Sequence, residues 1–409
     1  MKKKLIIFII LLLLCIASYG YFKFRGNNKN VNHVNNTITK KTNKLSNENI
    51  NYGVIIDKNT NDITSSIIEK NNNIRFLHIT DKNKMIMASE ISTSSNVDKK
   101  VTVKIFNLSS GKTEKQVDIK IENPQYDFVP LNNGFYVTDV NLMVSDKKVH
   151  YHIYDNELNL VRTIDLSDLK NKECTMPKLS NSGANIAYID TSDGKGSSIY
   201  ICDLDLKNKQ KVYEVEYFTP NKPSTFDAIS FVDGDKKIAF IGSLYINKDS
   251  SSQAFGTVNI NGEGFNYKNH DGIHSIIQIS KGETFFSDAQ IERGKDSSGQ
   301  VFLEDVNLNN VREYILKDKN ESQYALISDM GHFIVTRLYM TSKNNEPIYR
   351  FRIYDTKNKN IIKEFVTTFK GKDYEKCMIQ GISICEASNS IYVAYKIDKE
   401  TKLYQYKLN

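Results

Sequence analysis

Helical periodicity is the first thing missing from this chain of 409 residues: no long window repeats its apolar residues every three to four positions, which excludes a helical bundle and an α/β domain. Tryptophan is absent and proline scarce, at six. The five cysteines are too few for a disulfide framework in so long a chain, and their spacing fits no zinc pattern. Cys15 lies in an apolar run, Cys174 and Cys202 read as buried thiols, and only Cys377 and Cys385 are close enough in sequence to suggest a bridge. There is no Gly-x-Ser-x-Gly elbow, no phosphate-cradling glycine loop and no His-Glu-x-x-His helix, so the common hydrolase, nucleotidase and zinc-protease sites are excluded.

Negative charge is missing from the first 44 residues, which hold nine Lys or Arg and no Asp or Glu. The formal net charge of +7 is therefore misleading: the remaining chain carries 46 basic against 48 acidic side chains. A domain without a positive excess makes nucleic acid a poor partner. Lys2, Lys3 and Lys4 precede an uncharged run from Leu5 to Phe22, long enough to cross a hydrocarbon core as a helix with its basic end cytoplasmic. The expectation is an uncleaved single-pass signal anchor over residues 1–25 with everything after it extracytoplasmic. A signal peptide cleaved near Ser18 and Gly20 remains an alternative, as does acylation at Cys15, although Leu14 is a poor residue before a lipidated cysteine. Residues 26–50 are Asn- and Lys-rich with few large apolar groups and read as a flexible polar tether.

What fills the rest, residues 51–409, is short alternating runs of Ile, Val, Tyr and Phe separated by Asn, Asp, Gly and Ser, the pattern of successive hairpins. The run IYICDLDLKNK is echoed along the chain, and aligning the echoes by their turns gives Asn107, Asp155, Asp205, Asn259, Asn307 and Asp355, at steps of 48, 50, 54, 48 and 48, with Lys407 a further 52 on. That position is Asp in three of these copies and Asn in three, so it reads as a turn nucleated by a side-chain oxygen rather than a metal ligand. A calcium loop at Asp190 and Asp193 is a partial match only. A repeat of about 50 residues is the size of one four-stranded propeller blade. The fold class expected is all-β, a seven-bladed β-propeller behind an N-terminal transmembrane helix. The last repeat stops one strand short, and residues 51–70 contain an unassigned strand able to complete it and close the ring. A solenoid of sheets would leave edges exposed at both ends.

The stretches LSNSGANIAYIDTSDGKGSSIYICDLD and ISFVDGDKKIAFIGSLY resemble the TolB-type propeller repeat, over roughly residues 177–245. Asn181 stands where that pattern commonly has Asp. The resemblance implies an extracytoplasmic propeller that binds proteins or small ligands, and it brings no catalytic residues.

Aligning the start of the innermost strand in each repeat gives Arg75, Asp127, Thr175, Asp227, His274, Gln323 and Gln380, all polar. If the repeats are propeller blades, these residues ring one mouth of the central channel, either as a binding surface or because strands leave the core there. His270, Asp271 and His274 in NHDGIH form a weak metal candidate on a loop, and the HYH at 150–152 reads as a solvated strand face. No cofactor or metal is called for. The function expected is a membrane-anchored scaffold that binds an envelope protein or small polar ligand, with the alternative of a propeller enzyme of the lyase or lactone-hydrolase type acting at the channel mouth.

Overall fold

The computed structural model describes residues 60–62 and 72–408, with breaks at 63–71, 81–83, 92–98, 124, 142–147, 171–176, 193–195, 217–223, 248–249, 270–275, 281–282, 289–299, 306, 309–311, 316–323, 329, 342–345, 370, 373–375 and 399. The expected anchor and tether, residues 1–50, lie outside them. Among the described residues no helix is long and apolar enough to cross a membrane.

The alternating runs fold into seven antiparallel sheets of four strands each. Strand Lys148–Asp155 shows why: its odd-numbered residues Val149, Tyr151 and Ile153 are buried, while His150 and His152 point the other way. In each of blades one to six the strands follow chain order from the innermost outward. The innermost strands are Asn72–Ile79, Gln125–Leu131, Lys178–Leu179, Thr225–Val232, Ile276–Ser280, Tyr324–Ile327 and, in blade seven, Cys377–Cys385. The innermost strands of blades one and two, three and four, four and five, five and six, and seven and one lie beside one another, which places them around a common axis.

Among the described residues, five of the junctions between blades carry an apolar layer of their own. Phe76, Val103 and Ile121 pack with Phe128 and Phe135 between blades one and two, and Tyr136, Val149 and Ile164 pack with Leu179 and Ile186 between two and three. Ile199 and Val212 meet Phe231 and Phe240 between three and four. Phe351 and Phe365 meet Tyr395, Tyr404 and Tyr406 between six and seven. The ring closes where Leu77, Met85 and Phe106 of blade one pack on Cys385, Tyr392 and Leu403 of blade seven.

Blade seven lacks a fourth strand of its own from the carboxyl end and takes Thr60–Asp62 instead. That strand runs antiparallel to Glu400–Lys407, with Thr60 opposite Tyr406 and Asp62 opposite Tyr404. Closure by one strand from the far end of the chain removes an open edge that a ring of sheets would otherwise present.

The repeating hairpin between third and fourth strands is built as expected in blades one, two and six. The Oδ1 of Asn107 accepts from the backbone N–H of Ser109 and Ser110, that of Asp155 from Glu157 and Asn159, and that of Asp355 from Lys357 and Asn358, all at 2.7–2.9 Å. In blade three the sequence register is off by two. Asp203, not Asp205, ends the strand and accepts from Asp205 and Lys207 at 3.0 and 2.8 Å, while Asp205 faces Arg162 of blade two. In blades two to five the chain enters left-handed backbone three residues after the strand end, at Leu158, Leu206, Gly262 and Leu308, and in blades one and six four residues after it, at Gly111 and Lys359. By that criterion the turn of blade five starts at Asp305, where its strand ends, rather than at Asn307. Leu158 tolerates a φ of 58° because its side chain is buried in the layer between blades one and two.

Candidate functional site

Four residues of the expected ring are described, and all four lie on innermost strands: Arg75, Asp127, Asp227 and Gln380. Thr175, His274 and Gln323 lie outside the described residues, as does the NHDGIH loop. The backbone treats three of the four alike. Pairing with the second strand skips one residue between Ile74 and Phe76, between Phe226 and Ala228, and between Ile379 and Gly381. The skipped residues are Arg75, Asp227 and Gln380. Counted from the hairpin, the bulge falls at the same step in blades one, four and seven. A bulged residue leaves the ladder and its side chain is re-aimed. Blade two has no bulge, and Asp127 stays in register opposite Thr138, whose Oγ1 accepts the Asp127 N–H at 2.9 Å.

What the four side chains do differs. Gln380 fastens the ring, its Oε1 accepting from the Ile74 N–H of blade one and the Thr401 hydroxyl, each at 3.0 Å. Because Ile74 is buried, Gln380→Ala leaves a backbone donor without that acceptor, and thermal or urea denaturation should show a loss of about 1–3 kcal/mol. An unchanged midpoint would mean that the blade-seven junction holds without this bond.

Arg75 donates from Nε to Glu90 Oε1 at 2.7 Å, and the Tyr126 hydroxyl of blade two donates to the other oxygen of Glu90. Glu90 is buried, while the Arg75 side chain is 47% exposed. Burial and the neighbouring Glu90 both push the Tyr126 hydroxyl well above the ordinary phenol range, so it remains a donor. Asp227 and Asp127 are exposed. The first accepts from the Thr225 hydroxyl at 3.0 Å, the second from the adjacent Phe128 N–H at 2.8 Å.

Two further polar features escape the repeat alignment. Lys178 opens the innermost strand of blade three and pairs with Ala187. The register puts it level with His78, Ser230 and Ser383 of blades one, four and seven, four partly buried polar residues around the axis. Burial lowers the Lys178 ammonium below its ordinary value, and Asp127 of the neighbouring blade opposes that shift. Its backbone is fixed by the Tyr151 hydroxyl, which donates to Pro177 O at 2.6 Å and whose ring stacks on Tyr136.

The second feature is Asp139, fully buried in blade two. It accepts from Glu122 N–H at 3.0 Å and Asn123 N–H at 2.9 Å, with His152 Nε2 3.7 Å away. His152 Nδ1 lies 3.0 Å from Thr163 Oγ1, and His150 Nε2 lies 3.8 Å from Asp165. The two histidines are 23% and 19% exposed, so the solvated face expected for HYH is instead mostly covered. Burial raises the Asp139 carboxyl, but His152 and the two backbone donors outweigh it and hold the group below the ordinary carboxylate range.

Among the described residues no three His, Cys, Asp or Glu side chains converge on a possible metal position. Cys377 and Cys385 are both free, since they sit at opposite ends of one extended strand where no bridge can form.

No protein-family model and no curated protein sequence matches the chain. Among solved structures it is similar to an oligogalacturonate lyase in complex with manganese, with 11% identity and a TM-score of 0.48, covering 86% of this chain and 93% of that one. An oligogalacturonate lyase from Vibrio parahaemolyticus gives 10% identity and a TM-score of 0.49 over 86% and 93%. The β-propeller domain of the Trilobed protease from Pyrococcus furiosus gives 11% and 0.33 over 83% and 94%. At such scores the likenesses bear on neither activity nor ligand, and the architecture rests on the seven sheets themselves.

Proposed function

We propose that this chain is an extracytoplasmic β-propeller held at the cell membrane by Leu5–Phe22, and that it acts as a binding scaffold through the mouth of its central axis, taking an envelope protein or a small polar ligand. The observation that carries this reading is the bulge repeated at one step of the innermost strand in blades one, four and seven, which turns out Arg75, Asp227 and Gln380. Curvature alone would require the bulge but not polar side chains on it, and bulges gather where a side chain must be re-aimed toward a site. With Gln380 committed to the ring and Arg75 to Glu90, the exposed carboxylates Asp127 and Asp227 define the chemistry of the mouth. They favour a partner presenting hydrogen-bond donors or positive charge. The likeness of blades three and four to the TolB-type repeat, and the basic, acid-free start of the chain, support the envelope location.

The test is cross-linking in intact cells followed by isolation from salt-washed membranes. Asp127→Ala with Asp227→Ala should keep the stability of the parent within about 0.5 kcal/mol, as exposed substitutions do, and lose most of the partner the parent captures. Equal capture by the double variant would remove the mouth as the contact surface. Recovery of the parent in the soluble fraction would remove the anchor.

A further inference from the structure

Three blades hold Arg75 in place. Blade seven fixes the backbone beside it, since Gln380 Oε1 accepts the Ile74 N–H at 3.0 Å. Blade one fixes the guanidinium: Nε and Nη2 both donate to a single oxygen, Glu90 Oε1, the first at 2.7 Å. Blade two sets Tyr126 against it, with the ring centroid 6.0 Å from Cζ and the hydroxyl donated to Glu90 Oε2. A long side chain that would lose much rotamer freedom on meeting a ligand is thus already aimed.

Glu90 takes only one edge of it. Nε and Nη2 form the side of the guanidinium, while the end carries two parallel donors, one N–H on Nη1 and one on Nη2. Among the described residues the guanidinium contacts Glu90 and Tyr126 and nothing at that end. The Arg75 side chain is 47% exposed and that of Glu90 8%, so the pair is sunk at the carboxylate and open at the arginine. Neutralising Glu90 accounts for the side edge and leaves the end edge unexplained.

Two parallel N–H groups match a planar acceptor with two oxygens, which is a carboxylate bound end-on. Because Glu90 already balances the charge, the open end selects by the direction of its donors more than by net charge, and this tells against a phosphate dianion. Asp127 and Asp227, exposed on the same set of innermost strands, also oppose a second negative charge and accept donors instead. A recess among innermost strands suits a small molecule. We infer that Arg75 is the carboxylate-recognising group of the mouth, and that its ligand is a small monocarboxylic acid whose other polar groups are hydroxyl or ammonium donors. The inference rests on the proposed binding at the mouth and narrows it to a ligand class.

The test uses the full-length chain in detergent and hydroxyphenylglyoxal, which bridges the two Nη nitrogens of a guanidinium, with sites mapped by peptide mass spectrometry. Lactate is the probe, and sodium chloride holds the ionic strength constant. Arg75 should be labelled faster than Arg162, whose Nη2 is taken by Asp205 and Leu204 O. Lactate should slow Arg75 along a one-site curve, about threefold at about twice the dissociation constant, while Arg162 keeps its rate. Arg75→Lys keeps a charge for Glu90 but has no fork, so the rise in melting temperature that lactate gives the parent should disappear. Labelling of Arg75 that lactate does not slow, or that phosphate slows as well, overturns the inference, as does a lactate shift kept by Arg75→Lys. Protection by a glutamate-containing peptide and not by lactate would move the carboxylate onto a protein and overturn the small-ligand assignment. The labelling is made on the parent protein without a partner, so it depends on no variant folding. Loss of partner capture and loss of lactate protection are therefore separate results: the first concerns the mouth as a contact surface, the second Arg75.

Discussion

Deleting residues 51–70 should cost the ring far more than deleting residues 26–50. The first deletion removes Thr60–Asp62, leaving the ladder edge of Glu400–Lys407 unpaired in the one blade whose strands come from both ends of the chain. Tyr404 and Tyr406, on that strand, are buried in the layer between blades six and seven, so opening the edge also loosens a junction. Three ladder residues at about 0.5–1.5 kcal/mol per hydrogen bond give a loss of about 3 kcal/mol before any loosening is counted. For a domain of this size that lowers the melting temperature by several degrees or more. The second deletion removes only residues whose composition reads as tether, and should leave the transition where it is. Equal melting temperatures for the two deletions would show that the amino-terminal strand does not hold the ring.

The other large effect belongs to Asp139. Replacing it by Ala strands the N–H groups of Glu122 and Asn123, and Asn123 is itself buried. With about 1–3 kcal/mol for each buried donor left unpaired, the loss at pH 7 should be about 3 kcal/mol by urea titration. The sign of its pH dependence follows from the lowered carboxyl. A group whose folded pKa is depressed contributes stability above its unfolded value, near 4, and loses it as the pH falls through the folded value. The gap between parent and Asp139→Ala should therefore be full at neutral pH and narrow below about pH 4. A gap that stays constant down to pH 2 would mean that the carboxylate charge does not contribute.

The blade count and ring closure were readable because the hairpin needs a side-chain acceptor once per blade, and Asp or Asn marks the place. Where the sequence offers two such residues a step apart on one strand face, as in Asp203 and Asp205, the pattern alone cannot choose. The choice is made by Leu206, whose left-handed backbone needs the strand to end three residues earlier. Arg75, Asp227 and Gln380 could be found because a polar residue interrupts an apolar alternation, which a bulge allows. Lys178 was missed because the alignment read only the start of each innermost strand, and Lys178 lies three residues further along, level with His78, Ser230 and Ser383. Asp139 left a different trace, a lone carboxylate in the apolar run FYVTDVNLMV, and only its two backbone donors explain why it is there.

The pairing of Thr60 with Tyr406 also sets an order of events during synthesis. The first described strand of the ring leaves the ribosome before any of its neighbours, yet its partner, Glu400–Lys407, is made after every other strand of the ring. Contacts so distant in sequence form late and slowly. Six blades can assemble in turn as they emerge, each against the one before it, while Thr60–Asp62 waits with its backbone groups in water. Synthesis of Glu400–Lys407 is thus the step at which the ring can close, and a chain without that strand would leave Thr60–Asp62 with no ladder to join.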